Sequence, residues 1–196
     1  MSGCLCLLAQ ATACVASDPY QVRVYVVDES ECGPYEQALL AAIDWWADVG
    51  VDAFVYDGCA ESEFSTSVVF FQPLEGNGTT DDLEAASDHV PVYAVDEIQL
   101  DQEVPDGEPV PQEIGGASQH GVTPYCPSLV ALTEPRPELA AHELGHQVLL
   151  FHEEDEQNVM FHGQLFNDVS RMSVEERQTT DANNNFAECR KRQRDP

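Results

Sequence analysis

His142, Glu143, Leu144, Gly145 and His146 form an H-E-x-x-H run, and His152 follows after five further residues. Positions i and i+4 of an α-helix lie ~40° apart around its axis, so His142 and His146 would project from one face. Two neutral imidazoles placed there can hold one zinc ion at ~2.0–2.1 Å, with Glu143 beside it as a general base. Alone, an H-E-x-x-H run arises by chance in helices rich in His and Glu. Here three of the six histidines of the chain fall between positions 142 and 152, and Asn158-Val159-Met160 comes soon after.

A helix continuing unbroken would carry His152 ~280° around from His142 and ~15 Å along the axis, out of reach of a shared ion. The helix must therefore end between His146 and His152, with the chain turning back. This stretch resembles the metzincin zinc peptidases, whose signature is H-E-x-x-H-x-x-G-x-x-H followed by a methionine-containing turn. His142, Glu143, His146, His152 and Met160 match that pattern. The turning glycine of the family falls at Leu149, where positive φ is disfavoured for a bulky side chain.

The resemblance implies one catalytic zinc on His142, His146 and His152, Glu143 as the base, and Met160 as an apolar floor beneath the histidines. It implies a zinc metalloendopeptidase acting on peptides or proteins. Astacin-like members carry a tyrosine just after the methionine turn; here Phe161-His162-Gly163 stands instead, and His162 reads as a solvent-facing loop residue. Two other readings stay open. In a gluzincin-like arrangement Glu175 or Glu176 replaces His152 as third ligand. In a different class, a non-catalytic envelope lipoprotein binds zinc without turnover. Glu143 speaks against the latter, because a purely structural site needs no base beside the metal.

The chain has 196 residues, 43% of them hydrophobic, which suits one domain with a sizeable core. Nothing approaches the ~20 apolar residues of a membrane span. The formal charge is −28, and four of the eight basic residues crowd into positions 190–194. Such a field opposes nucleic acid and anionic membrane and favours a soluble monomer. The acidic loops are compatible with calcium, though no calcium motif is present.

The elements that must position the histidines follow an α+β order. Positions 20–29 read as a strand rich in β-branched and aromatic residues. Apolar residues from Tyr35 to Trp46 recur with helical spacing, closed by Gly50. Strands are expected at 51–56 and 67–72, the first of these parallel to the opening strand because a helix joins them. Positions 90–95 read as a strand held to an edge by Pro91, and 96–112 as an exposed acidic excursion. The similar runs at 24–29 and 92–97 are two similar strand ends rather than a duplication. A short glycine-rich edge strand is expected at 114–120 and a last strand at 128–133. Pro135 and Pro137 then place the start of the zinc helix. Ser173-x-x-Glu176 reads as a capping box for a C-terminal helix fraying at 183–185. The resemblance thus extends to fold class: a compact α+β, metzincin-like domain with a mixed twisted sheet, an active-site helix and a C-terminal helix.

Residues 1–14 read as an export segment, since the apolar run 5–13 ends in an A-x-A-like site that is also a loose lipobox with Cys14 as the lipidated residue. The run lacks a preceding Lys or Arg. Residues 18–189 form the zinc peptidase domain and 190–196 a basic tail read as disordered. The product is expected to be exported, secreted or held at the cell envelope, with membrane contact only through an anchor at Cys14. About five residues separate Cys14 from the first strand, too few to reach a cleft as an inhibitory segment, so activity on export is expected. Cys32, Cys59, Cys126 and Cys189 give two disulfides. Parallel opening strands bring Cys32 and Cys59 to one sheet edge, leaving Cys126 for Cys189. His89 and His120 are isolated and read as surface or core residues.

Overall fold

The structure, a computed structural model, describes residues 18–72, 79–86, 89–102, 112–120, 126, 128–161 and 169–194. The Cys14 segment and His162 lie outside the described residues. The chain forms β1 (Tyr20–Val26), α1 (Cys32–Asp48), β2 (Phe54–Glu61), β3 (Ser67–Gln72), β4 (His89–Ala94), β5 (Glu97–Gln102), β6 (Gln112–Glu113), β7 (Gly116–His120), β8 (Ser128–Leu132), α2 (Pro137–Gln147) and α3 (Glu176–Arg194). This is a small α+β domain with a mixed sheet. The main sheet has the order β2-β1-β4-β8-β7, and β3-β5-β6 form a second, smaller one.

β1 buries Tyr20, Val22, Val24 and Val26 on alternate positions, the period-two signature of one covered face. It pairs in parallel with β2 and β4. Between Tyr56 and Gly58 the β1–β2 register shifts by one residue, where Gly58 takes a φ of +129°. A bulge centred on a glycine lets the strand carry on, so β2 runs to Glu61 rather than stopping at Tyr56. The bulged-out Asp57 pairs with Arg23 on β1.

β4 overturns the edge assignment drawn from Pro91. It lies between β1 and β8, with every residue from Val90 to Ala94 buried. A nearly continuous apolar run marks a strand covered on both faces. Pro91 is tolerated because it sits opposite Arg23, just before the stretch from Val92 that pairs with β8. The similar runs of β1 and β4 lie side by side, with Val24 opposite Val92 and Tyr25 opposite Tyr93; the two tyrosine rings stack 5.2 Å apart.

The expected excursion at 96–112 is also corrected over its first part. Positions 97–102 form β5, parallel to β3, because Ile98 and Leu100 alternate with polar residues and turn inward. Val68, Phe70 and Ile98 of the small sheet pack with Tyr93, Leu129 and Ala131 of the main one. Residues 103–111 lie outside the described residues. The opposite face of the main sheet carries the larger core, in which Val22, Val24, Val92, Val130 and Leu132 meet the three helices.

α3 departs from expectation at both ends. The capping box is not at Ser173, whose hydroxyl donates to the Gln157 carbonyl. Instead the Gln178 side-chain oxygen accepts the Glu175 backbone N–H at 3.0 Å, the reciprocal half of a capping box shifted by two residues. The asparagines do not fray the helix. Asn183 donates to the Gly50 carbonyl (2.9 Å) and Asn185 to the Val148 carbonyl (3.0 Å), closing the C-terminal ends of α1 and α2. The basic stretch expected as a disordered tail is helical through Arg194. Arg190 lies 4.3 Å from the Tyr20 ring centroid and donates to the Pro19 carbonyl. Cations in a last helical turn also suit the helix dipole. Disulfides join Cys32 to Cys59 and Cys126 to Cys189, with Cα separations of 5.8 and 5.5 Å. The second fastens the β7–β8 connection to α3.

Candidate metal centre

α2 begins at Pro137, where a missing N–H leaves no intrahelical bond unmade. It is held from α1 by Trp46, which is fully buried and donates its indole N–H to the Ala141 carbonyl at 2.9 Å. Gly145 is where this contact and the Met160 segment close on the helix. A Cβ at Gly145 would collide with Met160 Sδ and come within 3.1 Å of Trp46 Cζ2.

The helix stops after Gln147 by a double hydrogen bond. Leu149 N–H reaches the His146 carbonyl (2.9 Å) and Leu150 N–H the Gly145 carbonyl (3.1 Å). That pair is the Schellman pattern, which needs a left-handed residue just past the cap. Leu149 occupies that place with a φ of +61°. The turn of the family glycine is therefore kept, with a leucine carrying a conformation that glycine adopts freely.

This turn returns His152 to the other two histidines. Ring centroids are 4.9 Å apart for His142 and His146, 5.3 Å for His142 and His152, and 4.8 Å for His146 and His152. One nitrogen from each lies within 4.8 Å of the others. Glu175, just before α3, and Glu176, its first residue, are exposed and take no part in this group, the one such group among the described residues.

The protonation of two rings follows from their partners. His142 Nδ1 lies 2.7 Å from the Val159 carbonyl and His146 Nδ1 2.8 Å from the Leu150 carbonyl. A carbonyl only accepts, so both Nδ1 atoms carry hydrogen. In neutral rings each Nε2 then carries its lone pair rather than a hydrogen, the tautomer a metal ligand requires. His146 Nε2 and His152 Nε2 are 3.1 Å apart. Two ligands ~2.0–2.1 Å from a tetrahedral ion would sit roughly 3.3 Å apart, so this pair is spaced as zinc requires, and three imidazole donors suit that ion. Burial pushes the His142 imidazole down to about 4; the Val159 carbonyl opposes this and His152 adds to it. A neutral donor is thus favoured there. Burial falls along the set, from buried His142 through half-buried His146 to exposed His152, so the group opens towards solvent on one side.

The Val159 carbonyl is itself fixed. Asn158 Oδ1 accepts the Met160 N–H (2.8 Å), and Asn158 Nδ2 donates to Gln178 Oε1 (2.7 Å). Both side chains are buried. A chain of bonds therefore runs from α3 through Asn158 to the Met160 turn and His142. Met160 is fully buried, against Gly145.

Glu143 points towards β7 and is 4% exposed. Burial pushes its carboxyl up to about 8, and the Ser118 hydroxyl offsets a part of this. That hydroxyl is buried and short of full hydrogen-bond geometry with any partner. Sequence reading did not connect Gln178, Trp46, Gly116 or Ser118 with the site. Of these only Gln178 carried a local signal for its part in it, the Glu175-x-x-Gln178 spacing.

Two of the three histidines stand on α2 and His152 follows the turn that ends it, so that together they form a group that could hold one metal ion. No family model matches the chain, and no curated protein matches it. Among solved structures it is similar to metalloproteinase-II from Bacteroides fragilis, with a TM-score of 0.49 and 12% identity over 87% of this chain and 54% of that one. The chain thus spans about half the length of that protein. It is also similar to archaemetzincin from Methanopyrus kandleri, with a TM-score of 0.43 and 13% identity over 86% of this chain and 96% of that one.

Proposed function

We propose that the chain is a zinc-dependent endopeptidase, with His142, His146 and His152 as the metal ligands and Glu143 as the general base. The observation that carries this is the convergence of the three rings while Nδ1 of two is tied to backbone carbonyls. Zinc held by these residues would supply Lewis acidity, enough to let a water ionise near pH ~7. Glu143 takes the proton of the attacking water and returns it to the departing amine. The Val159 and Leu150 carbonyls keep two imidazoles neutral and aimed, while Met160 and Trp46 exclude water from beneath them. The burial of Glu143 favours this reading over a zinc-binding lipoprotein without turnover, since an unused carboxyl is costly to bury. The two disulfides support an oxidising location outside the cytoplasm, with the protein either secreted or held at the cell envelope by a lipid anchor at Cys14.

The test is cleavage of a mixed peptide library by the zinc-loaded protein and by Glu143→Gln. Wild type should cut internal bonds, and the variant should lose ~10²–10⁴-fold in rate while retaining one zinc. Equal rates, or no cleavage by wild type, would contradict the proposal.

A further inference from the structure

Gly115 and Gly116 sit side by side where β7 begins, yet their surroundings differ. A Cβ at Gly115 would meet Leu139 at 3.6 Å, an ordinary contact. A Cβ at Gly116 would lie 2.8 Å from Glu143 Oε1, 3.2 Å from Glu143 Cγ and 2.9 Å from Leu139 Cδ1. The bare backbone of β7 is thus packed against the side chain proposed as the base. Ser118, two residues on and so on the same face of the strand, turns its buried hydroxyl to the same carboxyl.

We infer that Gly116 is a positioning residue for Glu143, its missing side chain being what lets β7 hold the carboxyl in place. This inference rests on the reading of Glu143 as the base. Two of the three atoms that a methyl group would displace are side-chain tips, which can move at little cost to the fold. One of those tips is the carboxylate, and misplacing a reacting group by ~1 Å can cost ~10²-fold in rate. Gly116→Ala should therefore separate activity from stability, while its neighbour Gly115→Ala serves as the control.

The experiment compares wild type, Gly115→Ala and Gly116→Ala. The expected result is a fall of about 10²-fold in kcat for Gly116→Ala, with KM, zinc content and melting temperature close to those of Gly115→Ala, which keeps full activity. Crystal structures of both variants should show the Glu143 carboxyl displaced only in Gly116→Ala. If Gly116→Ala fails to fold, the comparison moves to a Leu139→Ala background, where the added methyl group no longer meets Leu139 Cδ1 and still meets Glu143. Gly116→Ala turning over at the rate of Gly115→Ala, or an unmoved carboxyl, overturns the inference. Should wild type cleave nothing, Glu143 as base falls, and the crystal comparison still decides whether Gly116 places the carboxyl.

Discussion

Nδ1 of His142 lies 2.7 Å from the carbonyl oxygen of Val159, the residue before Met160. One hydrogen bond therefore sets the ring orientation of a proposed ligand and docks the methionine turn on α2. Behind it, Asn158 and Gln178 tie the same turn to α3. Replacing Asn158 with Ala should leave the Met160 N–H and Gln178 without their buried partner, at a cost of about 1–3 kcal/mol. Because the Val159 carbonyl then loses its anchor, zinc affinity should fall by ~10–100-fold. Thermal denaturation and competition with a chelator measure the two effects. Unchanged affinity would mean that the turn holds His142 without Asn158.

Leu149 offers a test of the turn. Its φ of +61° costs a non-glycine residue about 1–3 kcal/mol. Leu149→Gly removes that strain but also the packing of a half-buried leucine against the core, so stability should change by less than about 1 kcal/mol. Leu149→Val, β-branched in the same conformation, should lose more than about 1 kcal/mol. Denaturant unfolding decides between them, and a valine variant as stable as the glycine one would count against a left-handed residue 149.

The metal-free protein should lose stability as pH rises from 6.5 to 8. Burial holds the Glu143 carboxyl neutral up to about 8, against 4.5 when unperturbed. Its contribution is full below 4.5 and is lost as pH climbs through that window, because the unfolded chain ionises first. His142, lowered from 6.5 to about 4, acts oppositely: its contribution is full above 6.5 and lost as pH falls. The two slopes oppose each other between 4.5 and 6.5, and above that only the Glu143 slope of this pair remains, at about 1.4 kcal/mol per pH unit. Glu143→Gln should flatten this limb. Parallel stability curves for the two proteins from pH 6.5 to 8 would show that Glu143 is not held neutral.

The Cys126–Cys189 bridge spans 63 residues of sequence and anchors the helix that carries Gln178. Replacing both cysteines with Ser should lower stability by about 2–4 kcal/mol, read by thermal denaturation. Non-reducing peptide mapping should return Cys32 with Cys59 and Cys126 with Cys189; a fragment joining Cys32 to Cys126 would contradict the strand arrangement.

What the sequence revealed depended on how local each signal was. The histidine spacing, the helix start at Pro137 and the strands at β3, β7 and β8 rest on nearby residues, and these were legible. Pro91 misled because its effect on a strand depends on which neighbour pairs beside it, and that is set by β8, nearly forty positions away. The strand expected at 51–56 stopped short, because the bulge at Gly58 that carries it on to Glu61 is visible only against β1. The asparagines of α3 signalled fraying because their partners, the ends of α1 and α2, are invisible locally. The contact between Gly116 and Glu143 exists only once β7 lies against α2.

The central claim, that the three histidines share one zinc, is tested most directly by an anomalous difference map at the zinc edge from crystals of the zinc-loaded protein. A single peak ~2.0–2.1 Å from Nε2 of His142, His146 and His152 is the expected result. A peak held by Glu175 or Glu176, or one that leaves His152 unbound, would contradict it.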